Sequence, residues 1–180
     1  MLSRIKTLKA VMARFDKYTP ILKEIEGGFS NHPDDMGKET MCGITLKTFR
    51  AFFGADKTVR DLQNITEAQW NKIIRTYWDE CKADQIKNQS LANLVVDWNV
   101  NSGVSGRKGV QKCLGLVADG IFGPKTLAAL NCANAVLPFY YIKVARMQFY
   151  KELADKKENQ INNLGGWLNR LNKFAYDKRQ

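Results

Sequence analysis

The residues best suited to chemistry lie between Ile25 and Thr45. Glu26 closes an apolar helical pattern, Gly27 and Gly28 break it, and a polar turn carrying Asp34 and Asp35 leads on to Thr40. A carboxyl among helix-terminal carbonyls, flanked by Ile25 and Phe29, sits in surroundings suited to a proton donor. A proton-donating carboxyl beside an ionised one is the apparatus of glycosidic cleavage. In that scheme Glu26 protonates the leaving oxygen. Asp35 stabilises oxocarbenium charge or activates water, with Asp34 as its rival, and Thr40 positions the water. Carboxyls ~6.5–9.5 Å apart would give inversion, and ~5–5.5 Å retention. Taken singly, each piece is ordinary: Glu-Gly-Gly is a common glycine-capped helix end, and paired aspartates are common turn residues.

The elements that must position this stretch are helical. Ile5, Leu8, Met12 and Phe15 recur at helical spacing, as do Tyr18, Leu22 and Ile25. Thr19-Pro20 suits an N-cap and first turn, which predicts a break or kink there before a second helix delivers Glu26. Residues 27 to 45 hold turn chemistry and a short hairpin ending at Cys42-Gly43-Ile44. Thr45 caps a helix carrying Leu46, Phe49, Phe52 and Phe53 that closes at Gly54. Thr66 caps another with the stripe Trp70, Ile73, Ile74, Tyr77 and Trp78. That stripe reads as core, with Trp78 at its end the candidate to emerge and bind substrate.

Leu91 to Val100 is apolar nearly all round and predicts a central buried helix. Asp97 within it requires partners, so it either braces the fold or faces a cleft. Asn101 and Ser102 suit a cleft wall and a polar helix end equally well. Farther on, Gly115 ends a helix, Pro124 starts one, and Leu137, Tyr140, Tyr141, Val144 and Ala145 mark one face of a longer helix. Gly165-Gly166 predicts another break before an amphipathic helix carrying Trp167, Leu168, Leu171 and Phe174. No long alternating strands occur, so the fold class is mainly α, with a small loop and hairpin region after Glu26.

Composition sets the remaining bounds. A chain of 180 residues, 44% hydrophobic, can bury a substantial core. The net charge of +10 favours polyanionic partners. The basic residues are scattered and no nucleic-acid motif accompanies them, so no nucleic-acid partner is expected. Cys42, Cys81, Cys113 and Cys132 form no C-x-x-C pair, and the single His32 completes no metal site with them, so neither metal nor cofactor is expected. The cysteines read as free thiols, most of them buried. The first twenty residues carry Arg4, Lys6, Lys9 and Arg14 without an uninterrupted apolar core. The expectation is therefore cytoplasmic synthesis without a secretory signal or membrane insertion.

Glu26-Gly27-Gly28-Phe29, Asp34-Asp35-Met36-Gly37, Gly43-Ile44-Thr45, Tyr77-Trp78 and Asn101-Ser102-Gly103 occur in the order seen in glycoside hydrolase family 108. The chain resembles those lysozyme-like muramidases of bacteria and phages. Leu114-Gly115, Asp119-Gly120, Gly123-Pro124 and Trp167-Leu168-Asn169-Arg170 resemble the predicted peptidoglycan-binding domain that follows in them. The resemblance implies a lysozyme-like catalytic region over residues 1–102 and a peptidoglycan-binding region over 103–180. No Pro/Ser/Gly tract long enough for a tether separates them, so the second is expected to pack on the first. It implies hydrolysis of the β-1,4 bond from N-acetylmuramic acid to N-acetylglucosamine, with the family's essential glutamate at Glu26. Phe29 stands where the family usually has tyrosine, and Lys38-Glu39 replaces a glycine and a small residue. Phe29, Trp78 and Asn101 are the candidate substrate contacts. The setting that fits first is a phage or prophage endolysin that reaches the wall through a pore, and second a bacterial enzyme that remodels wall during secretion. A lytic transglycosylase and a non-catalytic wall-binding module are the alternatives.

Overall fold

The computed structural model describes residues 12–27, 29–31, 39–156 and 160–178. Among these residues the fold is mainly α, with one small antiparallel sheet. Helix α1 (Phe15–Glu26) buries Tyr18 and Leu22 and leads into the sheet, whose strands are β1 (Phe29–Asn31), β2 (Glu39–Met41) and β3 (Ile44–Thr45). The strands lie in the order β1-β2-β3, with Phe29 opposite Met41 and Thr40 opposite Thr45.

The predicted break at Thr19-Pro20 is absent, because Pro20 lies inside α1. Proline removes one helical hydrogen bond, but Pro20 is exposed, so water can reach the carbonyl it frees. Tyr18 and Leu22, fully buried on either side of it, hold the helix on the core.

Thr45 accepts from the Thr48 N–H to start α2 (Leu46–Phe53), which ends at Gly54 with φ 122°. Thr58 and Asp61 form a capping box on the short α3 (Val59–Gln63), and Thr66 and Gln69 do so on α4 (Glu67–Glu80). Helix α4 buries Trp70, Ile73, Ile74 and Trp78. A 3₁₀ turn (Ala83–Gln85) then leads to α5 (Gln89–Cys113), which Asn88 caps through the Leu91 N–H. Its first half, from Ser90 to Asn99, is buried on every side, as the apolar run predicts. Gly103, at φ 55° and ψ −137°, kinks the helix between its two halves.

The last three helices are α6 (Pro124–Leu130), α7 (Val136–Lys156) and α8 (Ile161–Asn172). They close over α5, and Phe122, Leu130, Phe139, Ile142, Leu171 and Phe174 join the same buried core as Leu22, Trp78 and Trp98. Two expectations fail in this region. Helix α7 buries Phe139, Ile142, Arg146 and Tyr150, while Leu137, Tyr140, Tyr141 and Val144 face solvent. The buried face includes a charged residue, Arg146, which a search for apolar spacing passes over. Gly165 and Gly166 lie inside α8, where packing against α7 outweighs a helix penalty of about 1 kcal/mol per glycine. The thiols are free, but Cys81 alone among them is buried, with Cys42 and Cys113 half-buried and Cys132 exposed. No described helix is long and apolar enough to cross a membrane.

Candidate active site

Glu26 is the last residue of α1, and Gly27 beyond it turns the chain at φ 65°, donating to the Lys23 carbonyl. This glycine end lets the chain leave the helix toward β1 while the carboxyl stays at the helix terminus. The Glu26 side chain is 14% exposed, so it is sheltered yet reachable. Its Oε1 lies 2.5 Å from Arg170 Nη1.

The β2–β3 turn forms the other wall. Cys42 and Gly43 both have positive φ, 48° and 76°, as a two-residue primed hairpin turn requires. A β-carbon on Gly43 would sit 2.5 Å from Glu26 Oε2, so any other residue here must displace the carboxyl. Trp70 Nε1 donates to the Cys42 carbonyl at 3.0 Å and ties the turn to α4. Burial, and then the Glu26 charge, push the Cys42 thiol above its ordinary range.

Behind Arg170 stands Asp97, fully buried in α5. Arg170 Nε and Nη2 form a fork on it, reaching Oδ2 at 3.0 Å and Oδ1 at 2.6 Å. Arg146 Nη2 donates to Oδ2 from α7 at 2.7 Å. Burial alone would drive Asp97 toward protonation. The Arg170 and Arg146 guanidiniums overcome it and hold the carboxyl below the usual range. Burial likewise opposes charge on Arg170, but Asp97 first and Glu26 second keep it firmly protonated. The chain of bonds continues outward: Arg146 Nε donates to the Tyr150 hydroxyl, which donates to Asn101 Oδ1 at 2.7 Å. Trp167 stacks on Tyr150, with ring centroids 5.3 Å apart. Asp97 thus braces the fold and stands directly behind the Arg170–Glu26 pair.

The predicted site residues divide accordingly. Trp78 is not a substrate platform. It is completely buried, packed by Phe15 and Tyr18, and its Nε1 donates to Asp84. The apolar stripe simply continues to the end of α4. Asn101 is exposed, at the outer end of the bonded chain that leads to Glu26. Thr40 lies on β2 between Ser30 and Thr45, in the sheet whose turn abuts Glu26. Phe29 begins β1 opposite Met41. Asp34 and Asp35 lie outside the described residues, in the segment linking β1 to β2. Gly43 and Arg170 stand in the sequence motifs without a place at the site, and Arg146 stands in none. The need of buried Asp97 for cationic partners was the available signal, but no spacing says which of 28 lysines and arginines answers it.

Residues 19–103 match glycosyl hydrolase 108, and residues 106–172 match the predicted peptidoglycan domain. The solved structure of Brucella abortus SagA is similar, with a TM-score of 0.74 and 27% identity over 92% of this chain and 98% of that one. No curated protein matches the sequence. A mainly α, lysozyme-like fold, with the glutamate at a helix end before a small sheet, accompanies both family matches in their expected order. Residues 19–103 form a glycosyl hydrolase 108 region that runs directly into a predicted peptidoglycan domain over residues 106–172, the pairing of a peptidoglycan hydrolase.

Proposed function

We propose that the protein is an N-acetylmuramidase, cutting the β-1,4 bond from N-acetylmuramic acid to N-acetylglucosamine with Glu26 as proton donor. One observation carries this reading. Within the glycosyl hydrolase 108 match, Glu26 places a sheltered, reachable carboxyl where α1 gives way to the sheet. Proton donation by a positioned carboxyl contributes roughly 10²–10⁴-fold to such a reaction. Asp35 is the partner carboxylate, and Thr40 positions the attacking water. Phe29 and Asn101 are the remaining substrate contacts of this reading. The net charge of +10 draws the enzyme to anionic wall polymers. The setting we assign is a phage or prophage endolysin that reaches the wall through a membrane pore.

Mass analysis of muropeptides released from purified peptidoglycan tests the reading. A muramidase leaves reducing N-acetylmuramic acid ends. Anhydro-muramic ends would identify a lytic transglycosylase, and reducing N-acetylglucosamine ends would place the cut at the other glycosidic bond. Asp35→Asn is expected to cost more turnover than Asp34→Asn. Equal, small losses would remove Asp35 from its role.

A further inference from the structure

Glu26 and Arg170 belong to different family segments, the glycosidase region and the predicted peptidoglycan domain. Their side chains nevertheless meet, with Arg170 Nη1 2.5 Å from Glu26 Oε1. The guanidinium has little freedom there. Two of its three nitrogens are spent on the two oxygens of Asp97, and Asp97 is held again by Arg146. Only Nη1 remains, and it meets Glu26 Oε1. Arg170 is itself only 11% exposed. Its aim is therefore set by the core.

Arginine has donors and no acceptor. An oxygen facing Nη1 accepts a hydrogen bond and has no room for a proton of its own on that side. The transferable proton of Glu26 then belongs on Oε2, the oxygen beside Gly43. We propose that Arg170 is the positioning residue of the acid: anchored on Asp97, it occupies Oε1, confines the proton to Oε2 and fixes the direction of its delivery. The predicted peptidoglycan domain would then complete the catalytic apparatus as well as engage the wall. This rests on the reading of Glu26 as the proton donor.

The test compares full-length Arg170→Lys and Arg170→Gln with wild type and Glu26→Gln, on soluble uncross-linked glycan chains, with folding followed by near-UV circular dichroism. Lysine keeps the charge facing Asp97 but lacks the fork that also reaches Glu26. Misaiming an acid by about 1 Å can cost on the order of 10²-fold. We expect folded Arg170→Lys to lose at least about 10-fold in kcat, with KM within about twofold. Free guanidinium, added at low millimolar concentration to Arg170→Ala, should restore part of the lost kcat. A folded Arg170→Lys with wild-type kcat, or a loss confined to KM, overturns the proposal. Failure of both substitutions to fold also overturns it, by assigning Arg170 to the core alone. If Glu26→Gln keeps its turnover, the functional reading fails. If Glu26→Gln is inactive while the Arg170 variants are not, only the positioning role fails.

Discussion

Gly43 lies so close to Glu26 that a β-carbon at position 43 would stand 2.5 Å from Oε2. The turn needs positive φ at this residue and the carboxyl needs the space, so two independent demands converge on one glycine. Gly43→Ala should lower kcat at least about 10-fold by displacing the acid. The left-handed backbone should cost a further ~1–2 kcal/mol in stability. Steady-state kinetics with urea unfolding checks both, and a fully active Gly43→Ala would show that this wall does not constrain Glu26.

Pro20→Ala should stabilise the protein. Pro20 is exposed inside α1, where proline costs roughly 3 kcal/mol relative to alanine, partly offset by its stiffening of the unfolded chain. The expected gain is about 1–3 kcal/mol, seen as a higher urea midpoint at unchanged slope. An unchanged or lower midpoint would mean that the proline shapes α1 in a way alanine cannot.

What the sequence made legible was what local chemistry decides. The threonine caps at Thr45 and Thr66, the proline start at Pro124 and the all-apolar helix around Asp97 follow from interactions within a few residues. The place of Glu26 at a helix end was legible because the glycine that ends the helix is adjacent in sequence. Pro20 and Gly165-Gly166 misled because packing overrode propensity. The face of α7 misled because buried Arg146 replaces an apolar residue on the core side. Arg170 and Gly43 reach Glu26 only through tertiary structure, and no periodicity encodes that meeting.

The buried Asp97 cluster predicts acid sensitivity. Its carboxyl titrates below the usual range in the folded state, because the Arg170 and Arg146 charges outweigh burial. A lowered folded value contributes stability above the unfolded value of about 3.9, and that contribution is lost as pH falls through the folded one. Asp97→Asn should cost about 3–5 kcal/mol near neutrality by leaving buried guanidiniums uncompensated. The gap between wild type and variant should narrow as pH drops below about 4. Urea midpoints across pH check this, and a gap that stays constant into acid would contradict it.

A chain ending at Ser102 should not fold. It would lose Phe122, Phe139, Ile142, Leu171 and Phe174 from the shared core and strand Asp97 without Arg146 and Arg170. Circular dichroism and sedimentation of residues 1–102 should report an unfolded or aggregated chain. Cooperative unfolding of that fragment, with retained cleavage, would make the two segments separable.

The central claim is that Glu26 supplies the proton, and the most direct measurement is turnover of purified peptidoglycan by Glu26→Gln. The amide preserves size and polarity but cannot act as the acid, so a correctly folded variant should lose at least ~10² in rate. Turnover close to wild type in the folded variant would contradict the account.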